Sequence, residues 1–359
     1  METQLKGSAL ALVLFDVCEE IDVEKLRMIS GARRSEPPLK SGPATYVRFE
    51  RPPVVDTIEP LTLTSGERLE GQIKYYDYGV VSVVYQMPLS GDWNSLVQLA
   101  NRWITSAEFE QRAQEAVKRK LPNAAPTLVK PYSEWLKEDY FIFQIHDVVG
   151  ISSGADLVSQ CGSVIARIVR GEVVPLSKTE EGEILQSNIS YYPQDVTVIG
   201  WNAALVLDTP SGAETAIQLL EYANSQLLEF RHYDELLTRE LAHVYRYLDQ
   251  ETSLWRRWKL GRAATQLQQL LVDVTELTER VDNSIKFLSD MFDARLYRLA
   301  AGKVGVPDYK NLVSSKLKTA GDLYRYMVDE FHQSRTFILE LTVVIILIIE
   351  LLSVFHIPL

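Results

Sequence analysis

Ser8–Val17 reads SALALVLFDV, ten residues with one charge, Asp16. The run is too short to cross a bilayer, and Cys18-Glu19-Glu20 follows it where a secretory leader carries small residues at its cleavage site. With Lys6 as the only base before it and no arginine, it also lacks the marks of an organelle presequence. It reads instead as the first buried strand. Working outward, further strands are predicted at Ala44–Glu50, Ile73–Gln86, Tyr140–Asp147 and Val196–Asp208, all rich in β-branched and aromatic residues. Between them Asp92–Lys120 and Ala155–Arg170 have helical apolar spacing. Asp92 caps the first of these and Leu121-Pro122 stops it. Gly31–Pro43, with Pro37-Pro38 and Gly42-Pro43, reads as a surface loop. Residues 1–208 are therefore expected to form an α+β or α/β domain.

The chain has 359 residues and a net charge of −11, from 48 acidic and 37 basic side chains. That field disfavours broad binding to nucleic acid. Two cysteines, Cys18 and Cys161, exclude a disulfide framework or a four-cysteine zinc site within one chain. After Thr209-Pro210-Ser211-Gly212 nearly everything is helical. Leu219, Leu220, Ala223, Leu227, Phe230, Leu237, Leu241, Val244 and Leu248 form one apolar stripe. Leu267, Leu270, Val274, Leu277, Val281, Ser284, Leu288 and Met291 alternate by three and four, as in a coiled coil with a polar layer at Ser284. A helix over Gly261–Ala301, about 60 Å long at 1.5 Å per residue, is expected to pack as a hairpin or against a second copy. Gly302–Pro307 breaks it, and residues 211–335 read as a helical stalk.

Phe337–Leu359 reads FILELTVVIILIIELLSVFHIPL, without lysine, arginine or glycine. It predicts a transmembrane helix at 336–357 that anchors the chain by its C-terminus. Arg325 and Arg335 before it put the bulk of the chain on the cytoplasmic side of a membrane. Glu340 and Glu350 each cost roughly 2.5–3.5 kcal/mol near mid-bilayer. Ten residues at 100° per step set them on one polar flank of the helix, a face for self-association.

Signatures of known chemistry are missing: there is no phosphate-binding GxxxxGK[ST] loop, GxGxxG, HExxH or GxSxG. No catalytic residue, cofactor or metal is assigned. Glu229-x-x-His232 and Glu240-x-x-His243 each match the unit used in di-iron bundles. They lie on one helix about 16 Å apart, so they read as a solvated or interfacial polar stripe. Trp255, Arg256, Arg257, Trp258, Lys259 and Arg262 form the strongest local cation cluster. It is a helix elbow or else a contact for a polyanion or lipid headgroups. Tyr76, Asp77, Tyr78 and Gly79 mark a tyrosine-rich strand edge where a ligand can sit, with Gly79 allowing close backbone approach. A hydrogen-bonded strand end is the plainer reading there.

Tyr78-Gly79-Val80-Val81, the helical second half, and Leu339-Glu340 with Glu350 resemble the Required for Meiotic Nuclear Division family. That resemblance implies an α/β region, a coiled segment and one C-terminal membrane helix. It also implies a membrane-tethered scaffold with no enzymatic role, whose mitochondrial member holds translation machinery near the inner membrane. The functional expectation is thus an anchored tether, self-associating through its coiled coil. The alternative is a membrane-linked enzyme or small-ligand sensor with its site at Tyr76–Gly79.

Overall fold

A computed structural model of the chain describes residues 4–30, 33–34, 47–49, 51–249, 254–283, 285–287 and 291–355. In chain order the first elements are β1 (Leu5–Ile21), α1 (Val23–Ser30), β2 (Arg33–Arg34), β3 (Val47–Phe49), β4 (Val54–Thr62), β5 (Arg68–Tyr75) and β6 (Val80–Gly91). Then come α2 (Trp93–Ile104), α3 (Glu108–Ala124), β7 (Leu128–Val148), α4 (Gly154–Arg170), α5 (Lys178–Gln186), β8 (Asn188–Ile189), β9 (Val196–Ile199) and β10 (Ala203–Leu207). The remainder is α6 (Pro210–Asp249), α7 (Leu254–Asn283), β11 (Ile285–Phe287), α8 (Met291–Val304) and α9 (Val306–Phe355). The chain divides into two compact units, Met1–His232 with Leu277–Lys310, and Tyr233–Glu276 with Asn311–Leu359.

The first unit is built on a nine-stranded sheet of order β2-β4-β5-β6-β1-β7-β10-β9-β8 among the described residues. Every pairing in it is antiparallel except β10 on β7. β1 lies at the centre between β6 and β7, as its unbroken apolar run requires. Ala9, Ala11, Val13 and Phe15 face a core filled by Leu96 and Trp103 of α2, Phe109 and Val117 of α3, and Leu157 and Ile165 of α4. Leu10, Leu12 and Leu14 are buried on the opposite face, and Asp16 stands on that same face, also buried. Each such leucine contributes roughly 1.5–3 kcal/mol of transfer free energy. Local signals set the helix ends. Asp92 Oδ1 accepts from Ser95 N at 2.7 Å to start α2, and Gly171 closes α4 in the left-handed region at φ 73°.

Several elements differ from the sequence reading. Ile73–Gln86 is not one strand but the hairpin β5–β6, because Gly79 at φ +98° turns the chain. Val196–Asp208 is likewise a hairpin, β9–β10, turning at residues 200–202. Asp92–Lys120 is two helices, with Ser106 Oγ accepting from Glu108 N (3.2 Å) at the restart. Leu121-Pro122 does not stop the second of these helices, which continues to Ala124 with Pro122 inside its last turn. Of the strand expected at Ala44–Glu50, Val47–Phe49 forms β3, and the rest lies outside the described residues. So does the Gly31–Pro43 loop, apart from Arg33–Arg34 in β2.

The expected coiled-coil rod is also corrected. α7 ends at Asn283, β11 pairs with β3, and α8 begins at Met291, so no continuous helix spans Gly261–Ala301. Ser284 lies outside the described residues. In the second unit Leu267 packs with Leu241, Val244, Ala320 and Met327 of the same chain. The stripe that suggested a homo-oligomer is used internally there. The expected break does occur, at Gly305 with φ +95°.

The membrane anchor is overturned. No helix among the described residues is long and apolar enough to cross a membrane. The apolar part of α9 carries two carboxylates, Glu340 and Glu350, each costly at bilayer depth. The tail anchor, the single-pass location with its cytoplasmic orientation, the membrane as partner and the anchored-scaffold function all rested on that helix and fall with it.

Candidate functional site

The first half of α6 departs from the pattern of a surface helix. Leu219–Phe230 is buried on every side, and five of its side chains are polar: Glu221, Asn224, Ser225, Gln226 and Glu229. Burying such groups without partners costs roughly 1–3 kcal/mol apiece, so their contacts show what the helix is fitted to. Lys74 of β5 forms an ion pair with Glu221, and Tyr76 is hydrogen bonded to the same carboxylate. Tyr78 Oη and Ser225 Oγ are 2.7 Å apart, and Tyr78 meets Tyr222 edge-on. Tyr222 Oη and Gln226 Nε2 both donate to the Val281 carbonyl, each at 3.0 Å, while Tyr297 donates to Gln226 Oε1. Burial holds the phenols of Tyr76 and Tyr78 well above the usual tyrosine range, so both stay protonated donors.

Gly79 makes this fit possible. A Cβ built there would meet the Cys18 carbonyl oxygen at 1.8 Å. The Tyr76–Gly79 turn lies along the far end of β1, with Val17 N donating to Gly79 O (3.1 Å) and Ile21 N to Asp77 O (3.0 Å).

At the other end of the same seam is a cluster of titratable groups. Between Asp16 and Cys18, β1 advances two residues while β7 runs five, from Leu136 back to Pro131. This bulge re-aims its side chains, and Tyr132 within it stacks on His232 of α6 with ring centroids 4.5 Å apart and planes 18° apart. Asp16 Oδ2 lies 2.7 Å from His232 Nδ1. Asp16 is 1% exposed, and neither of its carboxylate oxygens makes a hydrogen bond of good geometry among the described residues, so the His232 contact is one of proximity and charge. Burial holds the Asp16 carboxyl well above the usual carboxylate range. Burial, reinforced by the negative charges of Asp16 and Glu229, pushes the Cys18 thiol up to about 12, so it is not a thiolate nucleophile near neutral pH. The Tyr132 phenol is raised by the same causes. Beside it Arg231 pairs with Glu138, whose carboxyl burial still pushes up to about 6.

Two clefts on the first unit are lined by other residues than these. One of about 150 Å³ lies between Arg170, Glu180, Glu183, Trp201 and Lys303. The other, about 460 Å³, lies along Met87–Asp92 and the start of α2. No group of three or more potential ligands is arranged to hold a metal among the described residues.

The residues singled out by sequence are scattered. Tyr76, Asp77 and Tyr78 are buried, and the two tyrosines bond to α6. Trp255, Arg256, Arg257, Trp258 and Lys259 lie in the first turns of α7, with Arg262 exposed beyond them. Glu340 and Glu350 are exposed on α9. Of the stripe read as solvated or interfacial, Glu229 is buried, while His243 of the second unit is exposed. Asp16 was passed over in sequence, although a lone carboxylate inside an apolar run is the signal of a buried charge.

A family profile described as "Uncharacterized protein MJ0711, N-terminal domain" matches residues 6–214. The chain belongs to the MJ0711 N-terminal domain family. This replaces the resemblance to the Required for Meiotic Nuclear Division family, whose short motifs fall on the Gly79 turn and on the exposed end of α9. The chain is 19% identical over 237 residues to Uncharacterized protein MJ0711 of Methanocaldococcus jannaschii, covering 66% of this chain and 72% of that one. No solved structure matches. The stretch matched to the MJ0711 N-terminal domain holds Asp16, Cys18, Tyr76–Gly79 and Tyr132. Glu221, Ser225, Glu229 and His232 lie beyond it.

Proposed function

We propose that this chain is a non-catalytic conformational module, in which the α/β unit seats the first half of α6 and the state of that seat is carried along the helix. The observation that supports this reading is the burial of Glu221, Asn224, Ser225, Gln226 and Glu229 within one helix that then runs unbroken to Asp249. A helix held only for stability is served as well or better by an apolar face, whereas a polar seat fixes one register and comes apart when a partner is lost. The residues that line the two clefts described on the first unit do not include Asp16, Tyr132 or His232.

Native-state hydrogen exchange on the full chain tests this. Tyr78→Phe removes the bond to Ser225, which is worth about 1 kcal/mol, or roughly fivefold in an opening equilibrium. Protection of residues 219–232 is expected to fall by about that factor, and protection of 233–249 to fall with it. Unchanged exchange in 233–249 contradicts the reading. So does a turnover that His232→Gln abolishes while leaving exchange as it was.

A further inference from the structure

The two ends of the polar seam differ in one respect. The Tyr78–Ser225 end joins neutral hydrogen bonds to an ion pair, Lys74–Glu221, whose lysine carries a fixed charge, whereas the Asp16–His232 end holds an acid and a base in direct contact. We propose that Asp16 and His232 form a proton-operated latch on α6, closed while the pair is neutral overall and opened when it gives up one proton to solvent. This rests on the reading of α6 as a seated helix and names what regulates the seat.

The groups facing the pair can be followed element by element. On β1, Cys18 keeps its proton and Glu19 is paired with Lys130 at 2.7 Å. On β7, Tyr132 stays a phenol against the imidazole, and Glu138 is engaged by Arg231. On α6, Glu229 is buried one turn before His232, and its charge acts on Cys18 and Tyr132 together with that of Asp16. An imidazolium beside the Asp16 carboxylate, or a neutral acid beside a neutral imidazole, leaves the pair uncharged. Loss of one proton leaves an uncompensated Asp16 carboxylate in the same dry seam as Glu229, which burial opposes. His232, with 17% of its side chain exposed, gives that proton a way out. Because burial raises the Asp16 carboxyl, the folded seam holds its proton to higher pH than the unfolded chain does. Closure is therefore lost, on the alkaline side, as pH rises through the folded value.

The test is the full chain, with the imidazole nitrogens of His232 followed by NMR and amide exchange, corrected for intrinsic rates, compared at about pH 6 and about pH 8.5. Protection of 219–232 is expected to be at least about tenfold lower at the higher pH, in step with the His232 titration. Asp16→Asn and His232→Gln, the second keeping a hydrogen-bonding side chain, are each expected to reduce that ratio below about twofold. A flat wild type, or a slope that survives in both variants, overturns the latch. The outcomes separate the two readings. If pH moves 219–232 but never 233–249, the latch stands and transmission along α6 fails. If Tyr78→Phe loosens both windows while pH moves neither, transmission stands and the latch fails.

Discussion

The first half of α6 and the end of α9 invert the usual rule in opposite directions. α6 buries Glu221, Asn224, Ser225, Gln226 and Glu229, while α9 leaves Leu339, Leu341, Ile345, Ile348 and Ile349 about half exposed or more. The difference lies in what surrounds each helix rather than in composition. The β5–β6 turn, the bulge of β7 and Val281 supply α6 with donors, acceptors and an ion partner. No described element covers the α9 run. Burial follows the partners a neighbour can offer, and a polar helix can be the better-seated one.

The comparison breaks most severely at Gly79. Gly79→Ala forces a side chain to φ +98° and into the Cys18 carbonyl, and is expected to cost about 3 kcal/mol or more. Thermal unfolding should show this as a fall of roughly 6–12 °C in Tm. Next in size is Lys74→Met, which leaves Glu221 buried without its cation and is expected to cost about 3 kcal/mol in a denaturant melt. Adding Glu221→Leu should return most of that loss, because an apolar pair of similar volume restores the packing. If the double variant is no better than the single, Glu221 is held by something other than charge.

A smaller effect is pH dependence from Glu138. Its carboxyl is raised from 4.5 to about 6, so folding takes up a proton there, and its stabilising share is full below pH 4.5 and is lost as pH rises to about 6. Glu138→Gln should flatten the stability profile across that window, as read by urea midpoints at several pH values. The smallest effect belongs to α9. Ile345→Ser with Ile349→Ser is expected to change the unfolding free energy of the sheet-containing unit by less than about 0.5 kcal/mol.

Much of the sheet was legible because its cause is local. The SALALVLFDV run is the central strand, and Asp92 caps α2. What misled was composition read without neighbours. The end of α9 is apolar enough to suggest a membrane span, yet Glu340 and Glu350 break it, and no described helix is long and apolar enough to cross a membrane. EYANSQLLE in α6 looks like solvent-facing helix, since nothing in those residues says that Lys74 and Tyr78 will meet them from strands more than a hundred residues away. The Glu229-x-x-His232 spacing was visible. Its partner Asp16 was not, because a bulge in β7 and a long helix had to bring them together.

The central claim, that buried polar contacts seat the first half of α6, is tested most directly by residue-resolved amide exchange on the unmodified chain. The account predicts that residues 219–230 exchange as slowly as the centre of β1, Ala9–Phe15, and open only with the sheet. Exchange of 219–230 at the rate of the exposed-faced turns near Tyr245 would contradict it.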